Sequence, residues 1–196
     1  MNNYTDLVAA VAAWTHRSDL TTQMDNFIAL AEVEFNRRLR CRDMESAIAS
    51  TALVNGAFAL PADFLAMKYL QADTSPPATL TVTTAEFLAD QAVLADAPIC
   101  YAITGSDVVC WPSGGSVKGV YYARIPTLSS GSPTNWLMTK YPDAYLFGVL
   151  TQAAVWMRDA ALDAMAAQRT SGILDAINSD SRSSAISGGQ LTVRVR

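Results

Sequence analysis

The side chains that could do chemistry here are one histidine, three cysteines, a cluster of arginines and a pair of aspartates. His16 is the only histidine. That excludes a multi-histidine metal site and would leave a catalytic triad dependent on this imidazole alone. It lies in "WTHRSD" beside Arg17, where a solvent-facing or capping turn residue is the plainer assignment. Cys41, Cys100 and Cys110 form an odd set whose spacings match no zinc or redox motif. They read as buried, idle thiols in a reducing, cytosol-like environment. Asp159 and Asp163 stand one helical turn apart and could share a metal or work as an acid–base pair. With no further ligand in the pattern, a solvated helix face is the better reading.

Arg37, Arg38, Arg40 and Arg42 crowd the stretch "NRRLRCRD". Four guanidinium groups could touch phosphate, yet at a helix end they suit the negative end of the helix dipole or salt bridges between subunits. The interface reading ranks higher, and Arg37, Arg38 and Arg40 are its candidate residues. There is no P-loop, dinucleotide fingerprint, nucleophile elbow or H-E-x-x-H motif. The glycines of "GSDVVCWPSGGSVKG" flank strands rather than open a helix, so they aim no row of helical N–H groups at a phosphate. A net charge of −4 also opposes an affinity built on neutralising many phosphates. No enzyme, cofactor or metal is expected from these patterns.

The elements that would position such residues are helical at both ends. Tyr4, Leu7, Val8, Val11 and Trp14 keep a helical period behind Asn3, a candidate N-cap. Met24, Phe27, Ile28, Ala31, Phe35 and Leu39 form a second, longer stripe, with Glu34 and Arg38 at i,i+4 on the exposed side. From about Ala57 the period becomes strand-like. "AFALPADFLAMKYLQA" predicts two extended segments around Pro61, and Thr83 with Glu86 predicts a capping box on a small helix. "ICYAITGSDVVCWP" is a hairpin signal around Gly105-Ser106-Asp107, and "SVKGVYYARIP" adds a strand that Pro126 stops. Beyond Pro142 an apolar helical stripe returns through Leu146, Val149, Leu150, Ala153, Trp156 and Met157. It continues through Leu162, Met165, Ala166, Ile173 and Ile177, with Gly172 as a weak point.

The expected fold is therefore α+β, mainly α: a helical bundle with an inserted small antiparallel β unit and an extended C-terminal arm. The expected boundaries are 1–50 and 127–185 for the helices, 51–126 for the β unit and 186–196 for the arm. "MNNYTDLVAAVAAW" lacks a basic n-region and carries Asp6 within its apolar stretch, and "AYLFGVLTQAAVWM" is too short to span a bilayer. No membrane partner is expected.

The last residues, "SGGQLTVRVR", read as a strand without a sheet. Leu191, Val193 and Val195 point one way, and Thr192, Arg194 and Arg196 the other. Such a strand can add to the exposed edge of another chain.

Four segments in order then carry a family resemblance: "YTDLVAAVAAWTHRSDLTTQMDNFIALAEVEFNRRLR", "LPADFLAMKYL", "YYARIPTLS" and "TNWLMTKYPDAYLFGVLTQAAVWMRD". With them the chain resembles the head-to-tail adaptor (connector) proteins of short-tailed bacteriophages over nearly its full length. The resemblance implies a non-enzymatic virion protein, made in the host cytoplasm and placed in the neck. It implies a homo-oligomeric ring, usually twelve-fold, attached beneath the portal protein. Such a ring extends the channel through which genomic DNA passes without specific binding, and it carries the tail nozzle or tube protein. It also implies that Leu191, Thr192, Val193, Arg194, Val195 and Arg196 form an arm that docks on the portal. The competing readings are a tail-completion or gatekeeper module that binds a tail tube, and an enzyme of unrecognised type.

Overall fold

Asn3 opens the first helix as its position predicts: its side-chain oxygen accepts the Asp6 N–H at 2.9 Å. Helix α1 (Tyr4–Thr15) buries Leu7 and Val11 and stops at His16, which adopts a left-handed conformation at φ 53°. A 3-10 turn over Asp19–Gln23 leads into α2 (Met24–Arg38). There Met24, Phe27, Ile28, Ala31 and Phe35 of the predicted stripe are buried, and its last member, Leu39, is buried just past the helix end in extended conformation. This is the computed structural model of the protein, and it describes residues 1–186. The chain falls into two compact units, a helical one from Met1–Asp43 and the chain from Ile125 onward, and a β unit over Met44–Arg124 that contains the short helix α3 (Ala85–Ala89).

The helical unit is completed by α4 (Trp136–Lys140), α5 (Pro142–Met157) and α6 (Ala160–Ile186). Pro142 occupies the first turn of α5, where its missing N–H costs nothing. α2 packs closely against α5. Phe35 meets Tyr145 edge-on with ring centroids 5.4 Å apart. It also lies against Gly148, where a Cβ would stand 2.5 Å from Phe35 Cζ. On the far side of α5, α6 buries Ala166, Thr170, Leu174 and Ile177, four residues that recur on one helical face.

The β unit is a pair of four-stranded sheets. The first has the order β1-β8-β3-β4, with β1 (Glu45–Ala52), β3 (Phe64–Ala72), β4 (Ala78–Thr79) and β8 (Ser116–Ala123), all antiparallel. The second has the order β2-β7-β6-β5, with β2 (Ala57–Ala59), β5 (Thr81–Val82), β6 (Cys100–Thr104) and β7 (Asp107–Trp111). One core serves both, with Ile48, Leu70 and Val117 from the first sheet and Phe58, Tyr101 and Val108 from the second.

Several local expectations shift. The stretch read as helical to residue 50 is already extended from Glu45, because β1 pairs along β8 from Glu45↔Tyr122 to Ala52↔Ser116. The cap of α3 is Thr84, whose hydroxyl accepts the Phe87 N–H, rather than Thr83. The β6–β7 loop is the two residues Gly105 and Ser106, since Asp107 pairs with Thr104. β5 and β6 run parallel, so the unit is antiparallel except for that pair. Asn55-Gly56 makes a tight turn between Val54 and Ala57, with φ of 54° and 74°, the positive pair that Asn-Gly favours. α6 passes through Gly172 without a break.

Two glycine substitutions should therefore move stability in opposite directions. Gly148→Ala drives a methyl group into Phe35 and is expected to destabilise by about 1–3 kcal/mol. Gly172→Ala enters open space on a helix and is expected to stabilise by about 0.4–1 kcal/mol. Denaturant unfolding of both variants against the parent checks the signs.

Candidate functional site

The arginine cluster sits where α2 ends against α6. Leu39 turns extended after the helix, and the following amides need acceptors. The Arg40 N–H donates to Asn178 Oδ1 at 2.9 Å, while Asn178 Nδ2 donates back to the Arg38 carbonyl at 3.0 Å. The Arg42 N–H donates to Ser181 Oγ at 2.8 Å. The Arg38 guanidinium reaches Ser171 Oγ at 2.9 Å and the Asp175 carboxylate at 3.2 Å, with Glu34 at 3.5 Å. Arg40 Nη1 donates to the Asn36 carbonyl at 2.8 Å. Arg38 and Arg40 thus fasten α2 to α6 and close off its C-terminal end within one subunit. Arg37 is exposed and has no ion pair among the described residues.

A buried polar chain, absent from the sequence reading, lies in the same unit. Glu32 is 5% exposed. Its Oε1 accepts the Leu128 N–H at 2.7 Å and the Tyr145 hydroxyl at 2.8 Å. Asn135 Nδ2 donates to the Tyr145 oxygen and to the Pro126 carbonyl, both at 2.6 Å, and Asn135 Oδ1 caps α4 by accepting the Met138 N–H at 2.8 Å. Asn36 Oδ1 accepts the Ile125 N–H at 2.9 Å. Residues 125–135, which have no ladder of their own, are held through α2, α4 and α5 side chains. Desolvation pushes the Glu32 carboxyl above its ordinary range against the lowering effect of these donors, and it pushes the Tyr145 phenol far up as well. The available signal was a carboxylate four residues after Ile28 and three before Phe35, inside the apolar arc of α2.

Apolar and acidic residues are exposed on the outer surfaces of both units. On α2, Leu30 and Val33 face solvent. On α6, an open groove of about 500 Å³ is lined by Met165, Gln168, Arg169, Gly172, Ile173 and Ala176. In the β unit no Lys, Arg or His occurs between Lys68 and Lys118, while Asp73, Glu86, Asp90, Asp96 and Asp107 all fall there. Val82, Phe87, Val93 and Ile99 are exposed in that same stretch. Such a surface suits another protein better than a polyphosphate.

The other candidates have structural roles. His16 terminates α1. Asp159 caps α6, its Oδ1 accepting the N–H groups of Ala161 and Leu162 at 3.1 and 3.0 Å. Cys41, Cys100 and Cys110 are buried, and desolvation raises the Cys110 thiol to about 12. No cluster able to hold a metal ion occurs among the described residues, and no described helix is long and apolar enough to cross a membrane. The arm residues Leu191, Thr192, Val193, Arg194, Val195 and Arg196 lie outside the described residues.

Comparison with known proteins gives a match to the family model described as SU10 adaptor protein, over residues 2–194. No curated protein matches the chain.

Glu32 supplies a test of the helical unit. A folded-state pKa above the ordinary 4.5 means that the fold holds this proton more tightly than the unfolded chain does. The acid's contribution to stability is complete below 4.5 and is lost as pH rises through the folded value. Glu32→Gln keeps an oxygen for Leu128 and Tyr145, and is expected to flatten this part of the stability–pH profile. Glu32→Ala leaves two buried donors unpaired and is expected to cost about 2–4 kcal/mol. Unfolding measured from pH 4 to pH 8 (about the range in which carboxylates and their raised forms titrate) separates the two.

Proposed function

The chain belongs to the SU10 adaptor protein family, and from that premise we propose that it is a structural head-to-tail adaptor that forms a closed ring under the portal of a bacteriophage. The family match across nearly the whole chain carries this reading. The ring, with twelve copies as the expected number, extends the DNA channel and gives the tail nozzle or tube protein its platform. Heterologous contacts, in which one face of a subunit meets a different face of the next, close such a ring. The reading assigns no catalytic residue and no cofactor.

Three features support it. The acidic balance of the chain suits a protein past which DNA moves without sticking. The β unit's exposed apolar residues, accompanied only by acids between Lys68 and Lys118, suit a platform for protein rather than nucleic acid. The period-2 pattern of Leu191, Val193 and Val195, with Arg194 and Arg196 between and after them, suits a strand that adds to an exposed sheet edge of the portal. Each anchor contributes roughly 1.5–3 kcal/mol on burial, against about 1–2 kcal/mol for ordering each residue's backbone. One arm alone therefore binds weakly. A ring of arms binds firmly, because each later contact is effectively intramolecular.

Co-sedimentation with purified portal rings tests the proposal. Full-length protein is expected to bind in ring stoichiometry, and a chain ending at Ser187 to lose that binding. Equal binding by both would remove the arm's role and leave the ring. Binding by neither would overturn the adaptor reading in favour of a tail-completion module.

A further inference from the structure

Two unused faces of the helical unit complement each other. Leu30 and Val33 are 55% and 45% exposed on α2, across the helix from the buried Ala31 and Phe35, and Arg37 continues the same face one turn on. On α6, Ser171, Asp175 and Asn178 are taken up by bonds to the end of α2. The groove around Gly172 lies about a third of a turn round the helix from them. Nothing stands within 4 Å of a Cβ built on Gly172, so the groove has a notch there. Asp180, one turn beyond Ala176, is exposed and has no ion pair among the described residues.

We infer that the α2 face of one copy packs into the α6 groove of a second copy, with Leu30 in the notch at Gly172, Val33 beside Ala176 and Arg37 against Asp180. The spacings agree. Leu30 to Arg37 spans about 10.5 Å of helix and Gly172 to Asp180 about 12 Å, so two helices running in the same direction make both contacts together. Arg169, on the other side of Gly172 in the groove, then falls level with Asn26, whose side-chain oxygen can accept from it. Both halves of the match belong to this chain, and this argues for a second copy rather than a foreign partner. The two faces that meet are different, so the contact is heterologous and propagates from copy to copy. This inference rests on the ring reading and names the surfaces that would build the ring. The apolar area is small, so free copies associate weakly and the contact shows itself when it is trapped.

Disulfide trapping without portal is the test. The native cysteines are buried, so the unsubstituted protein is the blank. L30C and G172C proteins, mixed at high concentration under mild oxidation, are expected to give a linked dimer that neither gives alone. The double variant is expected to give a ladder of linked chains. R37D in the L30C partner, or D180R in the G172C partner, should lower the yield about five-fold. Both together should restore it, since the ion pair is then reversed rather than broken. No dimer from the mixture, or equal dimer from L30C alone, overturns the inference. Portal sedimentation reads the adaptor proposal separately, so either can fail while the other stands.

Discussion

Glu32 occupies a place in the apolar arc of α2 where a hydrocarbon would be cheaper to bury, and the helical unit is arranged to keep it satisfied. Removing a carboxyl group from water is costly unless donors replace the lost hydration. Here the donors are the Leu128 amide and the Tyr145 hydroxyl. Residues 125–135 re-enter the helical unit without helix or sheet, so their amides and carbonyls depend on side chains. Glu32, Asn36 and Asn135 meet that need and in doing so set the path by which the chain reaches α4 and α5. Tyr145, held at that hydroxyl, also meets Phe35 edge-on, and Phe35 in turn lies close against Gly148.

Much of this architecture is legible in the sequence where one periodicity dominates. The stripe from Met24 to Phe35, the cap at Asn3, Pro142 at the start of α5 and the hairpin around Gly105 each state a single local preference, and each appears. Reading failed where partners distant in the chain decide. Glu45–Ala52 carries no strong strand propensity, being rich in Ala and Ser, and becomes β1 because β8 supplies its ladder. Thr83 and Thr84 are equally good caps until the chain path chooses one. Asn55-Gly56 was a missed signal rather than an absent one.

The candidate surfaces divide along the same line. Arg37, Arg38 and Arg40 look alike in sequence, but 100° per residue around a helix turns one outward and sends another to Ser171 and Asp175, more than 130 residues away along the chain. Glu32 was hidden for a related reason: its partners are an amide and a phenol that no local pattern predicts. Assembly surfaces have no motif, because what matters is which side chains the fold leaves unsatisfied.

The helical unit is discontinuous in the chain, with the whole β unit inserted between α2 and α5. During synthesis the β unit has all its strands once Ala123 has left the ribosome, whereas the apolar faces of α1 and α2 wait for helices still to be made. Until α5 arrives Phe35 has no Gly148 to close upon, and until α6 arrives α2 has no neighbour to fasten its arginines. A nascent chain therefore keeps the end of α2 unanchored until α6 has been made. The order of the elements thereby makes the helical unit the last part of the chain to be completed.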